Sequence, residues 1–452
     1  MRRIFIAAAL TAAGFGVAAA DDLIILVAPP GSAAAAHATT AADGKKLVAT
    51  TALDDALTRG STHLATCGAC AVTIKLAAGT YAGPKGQGQW TVPDAAAPKA
   101  ALRVLGGYDD AFAVRAPLTT HSVLITTPGR TGPVLAVGKL EVRELTLSGL
   151  AIDGGPSNRY DAASSSLMRG RSPSSPLLGL SSVTTDRLII ADNLFFNAPS
   201  GVAAPLVRPA SASAEVIVRN NLFANNVIAL SVKGPSTKHT LKRFLIADNS
   251  FVLNFPGNAD TGTSNPGAVE LGGKSAAVTV ELRGNLFAYN VGGAIAPLWD
   301  AARSPAVVMN HNLFWRNGEL FTPSSPAHGA VVGRVEGVTA TLAADEVAVA
   351  RGWSVSGNVA RDPELAIPVA TMSAHGKAPA ADAPATPPAD DLDVDSLFAD
   401  PAELTLDTTI EPDAYAADGV VKNFAPRMPF NLAALPTAAK ARNFGASPKK
   451  VQ

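Results

Sequence analysis

Several polar or aromatic residues follow short apolar segments in the middle of the chain. In the segment VIALSVK (227–233), alternation points every second side chain inward and leaves Ser231 and Lys233 outward. The same alternation leaves Glu270 outward in GAVELGG (267–273). A tryptophan ring offers an apolar platform for a sugar, and charged groups around it orient hydroxyls or carboxylates. A candidate glycan-binding face therefore comprises Lys233, Glu270, Trp299, Asp300 and Arg334, with Glu336 near the same corner.

The same pattern also fits a solvent-facing surface, which is the simpler interpretation because the exposed side of a repeat protein carries scattered charges. The candidate residues include no paired carboxylates within one short motif, and the chain has no Gly-x-Ser-x-Gly, His-Glu-x-x-His or phosphate-binding loop. Asp391, Asp393 and Asp395 alternate like the start of a calcium loop. However, Ser396 and Ala402 occupy the positions that need glycine and glutamate. Motifs therefore assign no catalytic residue and no metal ligand.

The chain has two cysteines, Cys67 and Cys70, in a Cys-x-x-Cys arrangement. In an intracellular protein this spacing suggests redox chemistry or a metal site. Residues 1–20 have the pattern of an export signal, and no His-x-x-x-His follows the pair, so a four-ligand zinc site is not expected. We predict a local disulfide that fixes the turn before the strand VTIKLA (72–77), with a redox role as the alternative.

One phrase recurs along the chain and determines which elements hold these residues. Its copies NLFFN, NLFAN, NSFVLN, NLFAYN and NLFWRN begin at intervals of 28, 28, 36 and 27 residues. Recurrence of this length is typical of a solenoid, in which each unit buries its apolar face against the next. The corner asparagines are Asn193, Asn221, Asn249, Asn285 and Asn312.

Each copy follows a run rich in valine and isoleucine, such as RLIIAD before Asn193, and no unit has a helical period long enough for a crossover helix. The chain is thus expected to be all-β and to coil so that each strand pairs with its neighbour one turn away, roughly 4.8 Å distant. Asparagine suits the corner because it tolerates left-handed backbone angles and because its amide bonds to the backbone and to the next amide. The phenylalanines should form an internal column.

These corners resemble those of right-handed parallel β-helix proteins of the pectate lyase-like superfamily, including secreted bacterial repeat proteins. LDDALTRG (53–60), VTIKLAAGTYAG (72–83) and LRVLGGYDDAF (102–112) resemble their opening turns, and SLFADP (396–401) resembles their closing turns. The resemblance covers roughly residues 45–405. It implies a right-handed, single-stranded parallel β-helix with an N-terminal cap and a C-terminal tail.

The resemblance implies much less about activity, because this fold hosts lyases, hydrolases, adhesins and proteins without chemistry. Its lyases use an arginine or lysine base, and many hold calcium through aspartate and glutamate. The polygalacturonase signature of paired aspartates with Gly-His-Gly is absent, since His328-Gly329 and His375-Gly376 lack the preceding glycine. We expect a protein that interacts with glycans or the cell envelope and has no recognisable catalytic motif. A polysaccharide lyase, for which calcium would be the cofactor, is the alternative, and a surface adhesin is a weaker one.

The composition favours a large core and no strong electrostatic partner. Of 452 residues, 47% are hydrophobic and 16% charged, with zero net charge and a pI near 7.1. Nothing here indicates attraction to nucleic acid or to an acidic membrane surface. Beyond the signal, no apolar stretch reaches the roughly 20 residues that span a bilayer.

The chain divides into five expected regions, and the protein is expected to be exported, either periplasmic or extracellular. The regions are a signal peptide (1–20), an Ala-rich, loosely ordered segment (21–45), the parallel β-helix domain with its N-terminal cap (46–373), a Pro/Ala-rich loop or linker (374–390), and a terminal turn with a C-terminal tail (391–452) that covers the open end or the side wall.

Overall fold

The computed structural model of the protein covers its regular elements. It describes residues 22–43, 46–83, 89–125, 132–157, 160–161, 166–167, 176–180, 183–198, 200–203, 215–226, 228–233, 243–254, 267–272, 279–288, 290, 293–297, 306–315, 317, 348–349, 351–361, 363, 365, 432 and 444–447.

Three parallel β-sheets, of 11, 9 and 7 strands, make up most of the described chain. The first contains β1 (Leu23–Val27), β2 (Leu47–Thr50), β3 (Ala71–Ala77), β6 (Ala95–Tyr108), β9 (Leu140–Ser148), β14 (Val183–Ala191), β17 (Glu215–Arg219), β20 (Arg243–Ala247), β23 (Thr279–Arg283), β26 (Ala306–Asn310) and β28 (Ser354–Ser356). The second contains β4 (Gly79–Ala82), β7 (Ser122–Ile125), β10 (Leu150–Asp153), β15 (Leu194–Phe196), β18 (Leu222–Ala224), β21 (Ser250–Val252), β24 (Leu286–Ala288), β27 (Leu313–Trp315) and β29 (Val359–Ala360). The third contains β5 (Trp90–Val92), β8 (Leu135–Val137), β13 (Pro176–Leu180), β16 (Ser200–Ala203), β19 (Leu230–Lys233), β22 (Val269–Gly272) and β25 (Ile295–Pro297).

The remaining described elements are few. Two helices, α1 (Ala33–Ala41) and α2 (Leu53–Cys67), precede the main repeats. A 3₁₀ turn (Gly155–Ser157) and a two-stranded antiparallel pair, β11 (Tyr160–Asp161) and β12 (Ser166–Leu167), branch off after β10. Neither α1 nor α2 combines the length and apolar character needed to cross a membrane.

The chain visits the three sheets in turn, and this order is consistent with the parallel β-helix solenoid that the repeats predict. From β9 it passes to β10 in the second sheet, then to β13 in the third, and returns to the first at β14, which pairs with β9 in parallel. The turns that follow repeat the circuit as far as β25, so strands one turn apart become neighbours. Side chains that alternate toward the inside form one hydrophobic cluster from Leu23 to Trp353.

The phenylalanines of the repeated phrase form a single column inside this cluster. Consecutive ring centroids lie 4.8–5.0 Å apart, with ring planes within 12° of each other. This spacing matches the distance of roughly 4.8 Å between paired strands, because each ring projects from the same register position one turn later. The column comprises Phe195, Phe223, Phe251, Phe287 and Phe314, all buried.

The five corner asparagines also stack, through a continuous chain of amide hydrogen bonds. Asn221 donates from both its backbone N–H (3.0 Å) and its Nδ2 (2.9 Å) to the Oδ1 of Asn249. Its Nδ2 also donates to the carbonyl of Ile190, 3.0 Å away. The same pattern links Asn193, Asn221, Asn249, Asn285 and Asn312, and it continues to Asn358, which the sequence analysis missed. The buried side-chain amides of the corner asparagines therefore have hydrogen-bond partners.

The left-handed backbone at each corner belongs to the residue before the asparagine, which corrects our expectation. Asp192 (φ 60°), Asn220 (φ 52°) and Asp248 (φ 54°) adopt it, as do Gly284 and His311 in later turns. Glycine, asparagine and aspartate tolerate this region best, so the types at this position follow from sterics. The corner asparagine therefore supplies hydrogen bonds and does not absorb the turn.

A second asparagine ladder closes the other end of each short strand of the second sheet. It links Asn226, Asn254, Asn290 and Asn317 by Nδ2-to-Oδ1 bonds of 2.8–3.2 Å. Each of these amides also donates to a backbone carbonyl one turn back, as Asn226 does to Phe195 at 2.9 Å. A ladder of asparagine hydrogen bonds therefore stabilises each end of these strands.

The segment expected to be loosely ordered over 21–45 is ordered where the structure describes it. β1 lies between β2 and β3, with Ile24 paired to both Leu47 and Thr73. Ser32 accepts a hydrogen bond from the N–H of Ala35 at the start of α1, and the buried alanines of α1 pack in a small cluster with Phe112. The alanine-rich composition reflects this close packing and not disorder.

The tail contacts the outer side of the second sheet at the described residues 444–447. The N–H of Gly445 donates to the carbonyl of Gly284 (2.8 Å), and that of Ala446 donates to Ser250 Oγ (2.9 Å). Ser447 exchanges two hydrogen bonds with the Asn220 side chain, at 2.7 and 3.2 Å. Three consecutive residues thus meet three successive turns. The linker expected at 374–390 lies outside the described residues.

Candidate functional site

Glu270, a residue of the predicted face, has as its neighbour on the third sheet Ser231, which alternation also places outward. Ser231 in β19 is the register partner of Glu270 in β22, and Glu270 in turn pairs with Ala296 in β25. Leu230 and Leu271, one position away, lie in the core cluster. Ser231 and Glu270 therefore project away from the core, on adjacent strands roughly 4.8 Å apart.

These two side chains are buried, although the sequence analysis expected an exposed polar ladder. Ser231 is 8% exposed and Glu270 is 6% exposed. The expectation is wrong at these positions because alternation predicts only which side of a strand a residue faces. It does not predict what covers that side.

The hydroxyl of Ser231 has an unusual environment for an outward residue. Its Oγ is buried and has no hydrogen-bond partner among the described residues. A buried hydroxyl without a partner costs about 1–3 kcal/mol. Next to it, Glu270 brings a carboxylate, which accepts hydrogen bonds from hydroxyl groups. The Ser231 hydroxyl can therefore donate a hydrogen bond to a polar ligand or accept one from it, and the Glu270 carboxylate can accept one.

The other predicted face residues are placed only in part. Lys233 ends β19, and its backbone pairs with Gly272, two positions along from the Ser231–Glu270 pair. Trp299, Asp300, Arg334 and Glu336 lie outside the described residues. Of the predicted set, the structure therefore brings the strands of Lys233 and Glu270 together and leaves the rest as predictions.

The outer side of the first sheet carries charges of alternating sign in one register column. Glu144 pairs with Arg187, Arg187 with Glu215, and Glu215 with Arg243. Arg243 also forms an ion pair with Glu281, in the strand after it. Such cross-strand pairs satisfy one another. Among the described residues, this register column therefore alternates in sign and does not present a run of positive charge.

A buried polar network joins the first turns to the corner positions. Arg115 donates to the carbonyl of Gly106 (2.8 Å) and to Ser148 Oγ (2.6 Å). Ser148 donates to Asp192 Oδ2 (3.0 Å), and Asn220 donates to Asp192 Oδ1 (2.7 Å). Burial lowers the pKa of Arg115, and the Asp192 carboxylate opposes that shift. The guanidinium is held by fixed partners, so the network serves the fold.

Asp153 stands at the start of a third side-chain stack. Its Oδ1 accepts from Asn197 Nδ2 (2.8 Å) and from the N–H of Gly155 (2.8 Å), and Asn197 Oδ1 accepts from Asn225 (2.7 Å). Burial raises the pKa of Asp153 to about 6, against the opposing effect of these two hydrogen bonds. This carboxyl therefore titrates close to neutral pH.

The two cysteines lie at disulfide distance at the end of α2. Cys67 and Cys70 have Cα atoms 5.7 Å apart, within the range that a disulfide bridges. His63, one helical turn before Cys67, adds a third side chain to this group. His63 was not predicted, because the histidines of the zinc motifs considered follow the cysteines and His63 precedes them. The signal was present as His-x-x-x-Cys-x-x-Cys.

Comparison with protein-family models, with curated proteins and with solved structures finds no match to this chain.

Proposed function

We propose that the protein is an exported, right-handed parallel β-helix protein of the pectate lyase-like type, and that it binds a glycan of the cell envelope or its surroundings. The proposed binding centre is the outer side of the third sheet at Ser231 and Glu270. Lys233, Trp299, Asp300 and Arg334 complete the proposed face.

The observation that carries the proposal is the Ser231–Glu270 pair. An unpartnered buried hydroxyl next to a carboxylate, facing away from the core, is costly for folding alone. A polyol ligand would supply the hydrogen bond that the Ser231 hydroxyl lacks, and the neighbouring Glu270 carboxylate is an acceptor for a further ligand hydroxyl. Strands roughly 4.8 Å apart also match the length of one sugar unit, so a chain can lie across successive turns.

Right-handedness and the capping role of α2 belong to the same proposal. Parallel crossovers are right-handed in nearly all proteins, and the chain circuits three parallel sheets. Leu53, Ala56 and Leu57 of α2 join the core cluster, as expected of a helix that closes a solenoid end. An experimental structure with a left-handed coil would contradict this part.

Export is proposed from residues 1–20, which lie outside the described residues, and from the cysteine pair. Disulfides persist in oxidising compartments. Expression of the full chain with cell fractionation tests it. Mature protein should leave the cytoplasm with its N-terminus near Asp21. Full-length protein retained in the cytoplasm would contradict it.

Binding is tested with purified protein and a panel of polygalacturonate, alginate and a neutral glucan, with and without calcium. Because Ser231 and Glu270 are both under a tenth exposed, ligand entry requires a local opening, and we expect slow association. Ser231→Ala and Glu270→Gln should each weaken binding about tenfold, the equivalent of about 1.4 kcal/mol.

The matched control is Thr91→Ala, which changes an exposed outward residue at the opposite end of the same sheet and should leave affinity unchanged. If no polymer binds, or if both variants bind as the parent does, the pair only serves the fold. Accumulation of unsaturated products, read by ultraviolet absorbance, would instead identify the lyase alternative. In the described part of the chain, acidic side chains form no group of three that could hold calcium, so nothing there favours that alternative.

A further inference from the structure

His63, Cys67 and Cys70 form a compact group of potential metal ligands. A ring nitrogen of His63 and the two Sγ atoms all lie within 4.8 Å of one another. Among the described residues, no other group of three His, Cys, Asp or Glu side chains comes close enough to share one ion. This group is remote in sequence from the proposed glycan-binding face.

Local structure explains why the three side chains meet. His63 and Cys67 are four residues apart in α2, so they lie on the same face of the helix, one turn apart. The helix ends at Cys67, and Gly68 (φ 74°) turns the chain back so that Cys70 directly precedes β3. Cys70 is buried, whereas His63 and Cys67 are partly exposed. The group is therefore anchored in the core on one side and accessible on the other.

The electrostatic setting favours a cation. The last turn of a helix carries unpaired carbonyls and the negative end of the helix dipole, which stabilise positive charge. α2 has no basic residue in its last turn that would repel an ion. The same setting disfavours an isolated thiolate, unlike the helix N-termini at which reactive cysteines occur. The position therefore suits a metal ion better than a redox nucleophile.

After reduction, small side-chain movements can bring the three ligand atoms to the separations that zinc imposes, because the two Sγ atoms are no longer bonded and can move apart. Zinc binds sulfur at about 2.3 Å and imidazole nitrogen at about 2.0–2.1 Å, so tetrahedral ligand atoms lie about 3.5–3.8 Å apart. The separation between the His63 nitrogen and the sulfurs, at most 4.8 Å, must shrink by at most about 1 Å, which rotation of side chains at a helix end can supply.

We propose that reduction of the Cys67–Cys70 pair converts this group into a binding site for one borderline-soft cation, with Zn²⁺ as the reference ion. A dithiol donates two electrons and two protons to the disulfide, which yields two thiols, and the dithiol becomes a disulfide. The cation then displaces both thiol protons and binds two thiolates and the neutral imidazole of His63, with one position left for water. Disulfide and metal exclude each other, so occupancy depends on the redox state.

The test uses the full chain in oxidised form and after reduction by a dithiol that is then removed without oxygen. Co²⁺ is titrated as a spectroscopic substitute for zinc, because thiolate ligation produces intense charge-transfer absorption. We expect one equivalent of Co²⁺ in the reduced protein, its displacement by Zn²⁺, and no such absorption in the oxidised protein. Absence of thiolate absorption in the reduced protein would overturn the proposal.

The variant His63→Gln tests whether His63 binds the ion together with the two cysteines or whether the cysteines bind it alone. We expect its affinity to fall at least tenfold, with the charge-transfer band retained at saturating cobalt. His37→Gln, which changes an exposed histidine in α1, is the matched control and should bind as the parent does. If His63→Gln fails to fold, X-ray absorption of the zinc-loaded parent decides the point. A spectrum that shows two sulfur ligands and the scattering pattern of an imidazole would support the proposed site. A spectrum that shows only sulfur and oxygen ligands would contradict it.

Discussion

Phe223 and Phe251 stack inside the solenoid with ring centroids 4.8 Å apart and ring planes 4° apart. Each ring belongs to the same position of the repeated phrase, one turn apart, and each is fully buried. An aromatic column of this kind is filled from both sides, so removal of one ring leaves a cavity between two others.

Phe223→Ala should therefore lower the free energy of unfolding by about 3–5 kcal/mol, as for other buried aromatic residues. Phe223→Leu keeps more of the volume and should cost clearly less. Chemical denaturation of the three proteins measures the difference. Equal stability of Phe223→Ala and the parent would mean that the column contributes little to the core.

The phrase that contains Phe223 allowed the column and the corner ladder to be predicted, because each feature depends on one residue type at a fixed register position. Lys233 and Glu270 were harder. Alternation gives their side of the strand but not how far that side is covered, and Glu270 is only 6% exposed. The strand β1 was missed for a different reason, since one of the two residues that pair with Ile24 is Thr73, far along the chain from the alanine-rich stretch.

Asp153 should make stability depend on pH near neutrality. Its pKa rises from 3.8 to about 6 on folding, so the folded state binds the proton more tightly. The extra stability that the folded state gains from binding this proton more tightly is fully present below about pH 3.8 and is lost as pH rises through 6. Because the side chain is still partly exposed, the loss amounts to at most about 3 kcal/mol.

Asp153→Asn keeps the acceptor for Asn197 and Gly155 and removes the charge. It should be more stable than the parent at pH 7, with the gain shrinking toward pH 4. The control is Asp94→Asn, since exposed Asp94 likewise accepts a backbone N–H, that of Lys139 at 2.8 Å. Thermal melts across this pH range test the difference. A gain for Asp153→Asn that is constant with pH would contradict the assignment.

Gly445 determines how closely the tail approaches the second sheet. Its φ is +77°, and a Cβ there would collide with Ser250 Oγ and come within 2.9 Å of Leu286 Cβ. Gly445→Ala should therefore detach Phe444–Ser447 locally and speed amide hydrogen exchange at Ala446 and Ser447, with little change in global melting.

The matched control is Gly352→Ala, because Gly352 has a similar φ of +63° but no atom within 4 Å of the added Cβ. Gly352→Ala should lower stability by about 1–2 kcal/mol through its left-handed backbone angle alone. It should leave amide hydrogen exchange in the tail unchanged. Unaltered exchange in Gly445→Ala would show that the tail contact is not maintained in solution.

Leu253 is the exception in a column of left-handed corner residues. Asn197 (φ 62°) and Asn225 (φ 56°) occupy this position in the two preceding turns, and Leu253 follows at φ 57°. Asn225 donates to Asn197, but its own Oδ1 is buried without a partner among the described residues. An amide at position 253 would face that oxygen. Leu253→Asn should therefore supply the missing donor and also a residue type that tolerates the left-handed region.

We expect Leu253→Asn to be more stable than Leu253→Ala by about 1–3 kcal/mol, since both lose the leucine side chain but only asparagine gains the bond. Leu253→Gly isolates the backbone effect, because glycine adopts the same φ freely and brings no amide. The order of stability should be asparagine, then glycine, then alanine, measured by urea denaturation of the three variants. If asparagine is no better than glycine, the amide does not reach Asn225, and the benefit at this corner is conformational only.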